Sequence, residues 1–184
     1  MNYPNKKNVT YKKEINYANR GMDLESIIND TNSYLLDEDI ALIYKKPTPI
    51  GIAKMSYDNG HQKITKAYFQ SQSTLDYNGL YKGKYIEFDA KVTQNKTSFP
   101  LSNIHDHQLK HIRNVIRHKG IVFLIIYMND LYYLLKGEDL IYFIDNNDRK
   151  SIPYNYIKEK AYSLEYNYSK GLNYIKYVDE IIGG

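Results

Sequence analysis

The sequence predicts an α/β or α+β domain built on a mixed sheet. Three observations carry that expectation. IVFLIIYM, residues 121–128, is a short continuous apolar run rich in β-branched residues, as in a strand buried on both faces. Two stretches, 23–35 and 103–118, repeat apolar residues at helical spacing. STLDYNGLYKGKYIEFDAK, residues 73–91, alternates polar and apolar residues around glycine-containing pairs, the pattern of a β-hairpin.

The elements follow in order along the chain. Residues 1–20 are polar and aperiodic, carry Lys6, Lys7, Lys12, Lys13 and Arg20, and predict a flexible basic arm. Residues 21–184 then form one domain. Asp23 has the chemistry of a helix N-cap, and Leu24, Ile27, Ile28, Thr31 and Leu35 share one face of the helix after it. IALIYKK (40–46) reads as a buried strand that the prolines of KKPTP bring to an end. Residues 50–70 read as two strands about Asn59-Gly60, with Lys54, Lys63 and Lys66 and little core face, so a protruding hairpin is expected. The 73–91 hairpin precedes the 103–118 helix, which Gly120 closes. After the 121–128 strand, LYYLL (131–135) and DLIYFID (139–145) are further strand candidates. RKSIPYNYIKEKAY predicts a short helix and LNYIKYVDEII a terminal one.

Composition narrows the class. The 184 residues are 42% hydrophobic and 25% charged, which is ordinary for a globular protein with a real core. The absence of cysteine excludes disulfides and thiolate metal sites. The longest apolar run is too short to span a bilayer, and the N-terminus lacks the apolar segment of a secretory signal, so a cytoplasmic protein without a membrane partner is expected. A net charge of +4 is mild, which makes the position of the charges more informative than their sum.

Two turns compete inside residues 73–91. A turn at Asn78-Gly79 puts Asp76 opposite Tyr81 and leaves Asp89 far along the strand. A turn at Lys82-Gly83 pairs Tyr77 with Phe88, Asp76 with Asp89, Leu75 with Ala90 and Thr74 with Lys91. In that second register Thr74, Asp76, Asp89 and Lys91 share one face, with Glu87 nearer the turn and opposite Asn78. Leu75, Tyr77, Ile86, Phe88 and Ala90 form the opposite, core face. Facing carboxylates repel unless a cation sits between them, and Mg²⁺ or Mn²⁺ suits such an oxygen-rich site. A lysine beside it would stabilise charge on a phosphate. An ordinary half-buried strand with a solvated face shows the same alternation.

The 103–118 helix bears on this choice. Ile104, Gln108, Ile112, Val115 and Ile116 fall near one face, where Gln108 is the polar misfit. It reads either as a satisfied buried amide or as an amide aimed at the carboxylates. Lys110, Arg113 and Arg117 form a basic stripe, either a solvated face or a track for a phosphate backbone. His105, His107, His111 and His118 lack a metal-ligand spacing and read as surface or DNA-adjacent groups. Glu25 falls in the first turn of the first helix, where the helix dipole favours carboxylates.

Asp76, followed after twelve residues by Asp89-Ala90-Lys91, resembles the PD-(D/E)XK nuclease signature. The longer strings RGMDLE (20–25), KKPTPI (45–50), KAYF (66–69), residues 73–91, NKTSFPL (95–101), HDHQ (105–108) and RKSIP (149–153) resemble, in the same order, RecU-type Holliday junction resolvases. The resemblance implies a restriction-endonuclease-like core, with a mixed central sheet flanked by helices and residues 47–70 as a projecting stalk. It implies a homodimer that holds a four-way DNA junction and nicks opposing strands with Mg²⁺, for which Mn²⁺ may substitute, beside recombinase and branch-migration proteins. By motif position Thr74, Asp76, Asp89 and Gln108 would hold the metal and Lys91 would stabilise the transition state. Lys45, Lys46, Lys54, Lys63, Lys66, Lys110, Arg113 and Arg117 are the candidates for contact with DNA. Two departures stand out. Asp89 replaces the family's usual Glu and Glu87 its usual Asp, and the stalk tip YDNGHQK (57–63) is short and weakly basic. These leave a second reading, a nuclease-fold DNA-binding protein that modulates recombination with little or no cleavage.

Overall fold

The computed structural model describes residues 20–58, 60–70 and 74–183. The expected arm at 1–20 lies, apart from Arg20, outside them. Helix α1 (Arg20–Asp37) leads into strand β1 (Leu42–Lys45), and a hairpin of β2 (Ile50–Asp58) and β3 (His61–Phe69) follows. A second hairpin joins β4 (Tyr77–Tyr81) to β5 (Lys84–Val92). Strand β6 (Ser98–Pro100), a 3₁₀ turn and helix α2 (Asp106–Arg117) lead to β7 (Ile121–Met128) and β8 (Leu131–Lys136). The remainder is α3 (Gly137–Asp145), β9 (Ser151–Pro153), α4 (Tyr154–Lys160), β10 (Tyr162–Leu164), β11 (Tyr166–Asn167), β12 (Gly171–Leu172) and α5 (Tyr174–Gly183). Among the described residues no helix is long and apolar enough to cross a membrane.

The central sheet has the order β1-β4-β5-β7-β8-β10. Only β5 and β7 run parallel, joined by the crossover through α2, so the sheet is mixed as expected. Strand β7 supplies both faces. Ile121, Phe123 and Ile125 pack with α1 and α5, while Val122, Leu124 and Ile126 pack with α2 and α3. The first core is organised by a stack of Tyr77, Phe88 and Phe123, with successive ring centroids 4.8 Å apart. Helices therefore cover both sides of the sheet, and neither face of β5 is a solvated face.

The β4–β5 turn settles the register. Lys82 and Gly83 both take positive φ, +48° and +72°, as a tight two-residue hairpin turn requires. Tyr77 pairs with Phe88 and Asn78 with Glu87. Gly79 is not a turn residue. It sits in mid-strand against β1, where a Cβ would lie 1.9 Å from the Leu42 carbonyl oxygen.

The β2–β3 hairpin forms its own two-stranded sheet, and every residue of β3 is exposed. Gly60 takes φ +81° at the turn, beside Asn59, which lies outside the described residues.

Several expectations change. The first helix begins at Arg20, so Asp23 lies inside its first turn and is not the N-cap. Strand β1 is a sheet edge, and of its four residues only Ile43 is buried, because its outer face has no neighbouring strand. The left-handed residue closing α2 is Lys119, at φ +64°; Gly120 is needed for space, since a Cβ there would lie 2.8 Å from Val115 Cγ1. DLIYFID belongs to helix α3, which buries Leu140 and Phe143 three residues apart; a short apolar run does not distinguish the two periods. Leu75 packs with Ile104, Ile112 and Phe99 rather than with Phe88, because β4 pairing ends at Tyr77 and strand alternation ends with it.

The contact at Gly79 is with backbone, which cannot swing aside. Gly79→Ala is expected to force β1 from β4 and lower stability by about 2 kcal/mol, the usual scale of overpacking, read from urea denaturation.

Candidate active site

Two buried carboxylates on β5, Asp89 and Glu87, are the centre of the site. Both are 0% exposed. They point to the side of the sheet covered by α2, and each has its own set of partners.

Asp89 Oδ2 forms an ion pair with Lys91 Nζ at 2.8 Å and accepts a hydrogen bond from Gln108 Nε2 at 2.7 Å. Asp89 Oδ1 is buried and has no partner. Asp76 stands just beyond the end of β4, held there by the Lys46 N–H donating to its backbone carbonyl at 2.7 Å. Its carboxyl is pushed up to about 6, first by burial, then by the charge and hydrogen bond of Asp89, against the pull of Lys91 and Lys45. The hairpin thus brings the two aspartates together across the strand end, as the Lys82-Gly83 register requires.

Gln108 is the buried polar residue of α2, and its amide has two jobs. Its Oε1 accepts from the His105 N–H at 3.1 Å, one half of a capping box at the helix start. Its Nε2 then points at Asp89. Helix capping and carboxylate positioning are therefore done by one side chain. Lys91 Nζ lies 3.4 Å from the same amide oxygen.

Glu87 is the group the sequence pattern undervalued. Its Oε1 accepts from Lys46 Nζ and from the Leu75 N–H at 3.3 Å. Its Oε2 accepts from Tyr85 OH at 2.8 Å and lies 2.7 Å from His111 Nε2. Burial works to raise its pKa, but the hydrogen bonds from Lys46, His111 and Tyr85 outweigh it and hold the carboxyl below its ordinary value. Lys46 also donates to Thr74 Oγ1 at 2.9 Å, so Thr74 is tied to Glu87 through Lys46, and β4 pairing ends at Tyr77 before it can face Lys91 as expected. The partners come from positions 46, 75, 85 and 111, and all but Tyr85 lie beyond the reach of any local spacing. The available signal was α2 itself: a helix covering the Asp89 face must also bury Glu87.

The candidate DNA contacts separate into groups. Lys54, Lys63 and Lys66 are exposed on the β2–β3 hairpin, with Lys54 paired across the strands to Lys66. Lys110 and Arg117 are exposed on α2. Arg113, between them, is engaged by Asp145 of α3 through two hydrogen bonds. Lys45 pairs with Glu25, and Lys46 is the partner of Glu87. Among the described residues no group of three His, Cys, Asp or Glu converges. Asp76 and Asp89 bring carboxylate oxygens together, the donor type that matches a hard cation, while the Gln108 oxygen is engaged by the His105 N–H and the Thr74 hydroxyl by Lys46. The orphaned Asp89 Oδ1 and the crowded Asp76 are the features such a cation would satisfy.

Removing Glu87 would leave the Lys46 ammonium without its buried partner. Glu87→Ala is expected to cost about 3 kcal/mol, on the scale of breaking a buried ion pair, and Glu87→Asp less, because charge is kept while reach is lost. Urea denaturation at pH 7 measures both.

Comparison with known proteins finds relatives along nearly the whole chain. A family model described as RecU, recombination protein U, matches residues 19–180. The Holliday junction resolvase RecU of Bacillus subtilis is 45% identical over 174 residues, covering 92% of this chain and 84% of its own. That of Bacillus licheniformis is 43% identical over 192 residues, covering 98% and 97%. That of Pediococcus pentosaceus is 48% identical over 172 residues, covering 90% and 86%. A solved chain, the resolvase Hjc of Archaeoglobus fulgidus, aligns with a TM-score of 0.46 and 6% identity over 76% of this chain and 94% of its own. With its model matched from residue 19 to residue 180 and relatives aligned over most of both chains, this chain belongs to the RecU family.

Proposed function

We propose that this chain is a Mg²⁺-dependent endonuclease that resolves four-way DNA junctions by paired nicks during recombination and repair. Relatives named Holliday junction resolvase, 43–48% identical, support the substrate. The single observation that carries the chemistry is the buried, unpartnered Asp89 Oδ1 beside an Asp76 whose charge is resisted by Asp89.

Thr74, Asp76, Asp89 and Gln108 would hold the cation. When bound, Mg²⁺ supplies Lewis-acid polarisation of the scissile phosphate and acidifies water. The chain's own groups do the rest. Gln108 fixes the Asp89 carboxylate through Oδ2, leaving Oδ1 free to ligate. Lys46 holds the Thr74 hydroxyl by donating to it, and the oxygen keeps a second lone pair with which it would ligate. Lys91 Nζ, only partly exposed beside Asp89, places a positive charge where a pentacovalent phosphate gains negative charge.

Paired nicks require two such sites related by symmetry, which a two-fold homodimer on a four-way junction provides. The β2–β3 hairpin, within residues 47–70, is the stalk in this reading, and Lys54, Lys63 and Lys66 carry its charge to DNA. Residues 1–20, Lys45, Lys110 and Arg117 add backbone contacts. Recombinase and branch-migration proteins would be its partners in the cytoplasm.

The purified chain with Mg²⁺ is expected to nick a synthetic four-way junction in opposing strands. Asp76→Ala is expected to slow cutting about 10³-fold, roughly 4 kcal/mol of transition-state stabilisation. Undiminished cutting by that variant would overturn the site; no cutting by the wild type with any divalent metal would favour the DNA-binding reading instead.

A second outcome concerns pH. Asp76 keeps its proton up to about 6 in the folded chain against an ordinary 3.8, so the folded state binds that proton more tightly than the unfolded state. Without metal, this group's contribution to stability falls as pH rises from about 4 through 6. Mg²⁺ is therefore expected to raise Tm at pH 7.5 and much less at pH 5; an equal rise at both would remove the cation from this carboxylate pair.

A further inference from the structure

A cleft of about 560 Å³ opens at the far end of α2 from Asp89. Lys84, Tyr85, His111, Asn114, His118 and Lys119 line it, and among the described residues none of its lining is acidic. Lys84 and Lys119 are exposed, and among the described residues neither has a carboxylate partner. The α2 C-terminus does not oppose an anion strongly, because its carbonyls at Asn114, Val115 and Ile116 already accept the N–H groups of His118, Gly120 and Lys119 at 3.0 Å. Two walls of the cleft are rigidly placed. Tyr85 and His111 are both tied back to Glu87, so they are held by the carboxylate that, through Lys46, also holds Thr74. The Tyr85 phenol is pushed up to about 12 by burial and by Glu87, and so adds no negative charge.

Position supplies the rest. His107, His111, Asn114 and His118 recur at i, i+4, i+7 and i+11, a polar stripe running along α2 from the turn beside Gln108 to the cleft. Lys84 is five residues before Asp89 on β5, about 17 Å along the strand at 3.3 Å per residue; the odd separation starts its side chain on the opposite face, and it borders the cleft where β5 begins. At about 3.4 Å per base pair, that distance is roughly five base pairs of duplex.

We infer that this cleft is a second phosphate site, holding the DNA backbone about five base pairs from the phosphodiester at Asp89. The inference rests on the reading of the chain as a junction nuclease. Lys84 and Lys119 neutralise the phosphate, and the Glu87 cluster fixes the cleft relative to the cutting site, so that one DNA arm is registered by two points along α2.

The test compares full-length wild type with the Lys84→Gln, Lys119→Gln double variant, after matching thermal melts show that both fold. A second double variant, Lys170→Gln with Lys176→Gln, removes two exposed lysines near α5, on the other side of the sheet. Binding to a four-way junction is measured across a salt series without divalent metal. The cleft variant is expected to bind about tenfold more weakly at 0.1 M salt, with a plot of log K against log salt shallower by about 1, at roughly 0.9 for the one phosphate lost. The second variant is expected to match wild type. A neutral methylphosphonate about five base pairs from the cut is expected to weaken the wild type but not to weaken the cleft variant further. Wild-type affinity and slope in the cleft variant, or equal losses in both variants, would overturn the inference while wild type still binds and cuts. A wild type that neither binds nor cuts the junction would overturn the functional reading itself.

Discussion

The burial of two carboxylates on one strand is the constraint on which the rest of the site depends. Glu87 and Asp89 are two residues apart and both fully enclosed, so each needs hydrogen bonds or a cation to offset lost hydration. Glu87 is satisfied by four donors from β5, α2, the chain after β1 and the start of the β4 segment. Asp89 is left half-satisfied. That asymmetry divides the strand's charge into a carboxylate with its hydrogen bonds complete and one with an oxygen left over.

Helix α2 makes the division possible. Its inward face carries Ile112 and Val115 into the core, and the same face carries Gln108 to Asp89. His111, one residue before Ile112, reaches Glu87. The crossover from β5 through α2 to β7 therefore does two things at once. It closes the parallel strand pair and delivers the polar groups that hold both carboxylates.

The lengths of the two carboxylate side chains suit their surroundings. The longer side chain is at position 87, where it spans Lys46, Tyr85, His111 and the Leu75 N–H. The shorter one is at position 89, close under Gln108 and Lys91, with Asp76 drawn near it. The β2–β3 hairpin is built on the opposite principle: it has no core of its own, and its apolar residues Ile52, Tyr57, Ile64 and Phe69 remain exposed.

Local sequence narrowed the hairpin to two turns, and positive φ at Lys82 and Gly83 with Tyr77 paired to Phe88 shows which of them forms. It also determined the inward face of α2 and the two-sided burial of β7, since both are periodicities of neighbouring residues. It did not determine the period of DLIYFID, whose apolar cluster is too short to tell strand from helix, nor the edge position of β1, which depends on which strand lies beside it. Only the tertiary structure decided the role of Glu87. Its partners are brought together from positions 46, 75, 85 and 111 by the sheet and the helix across it, and whether a charge is solvated or enclosed depends on what packs over it.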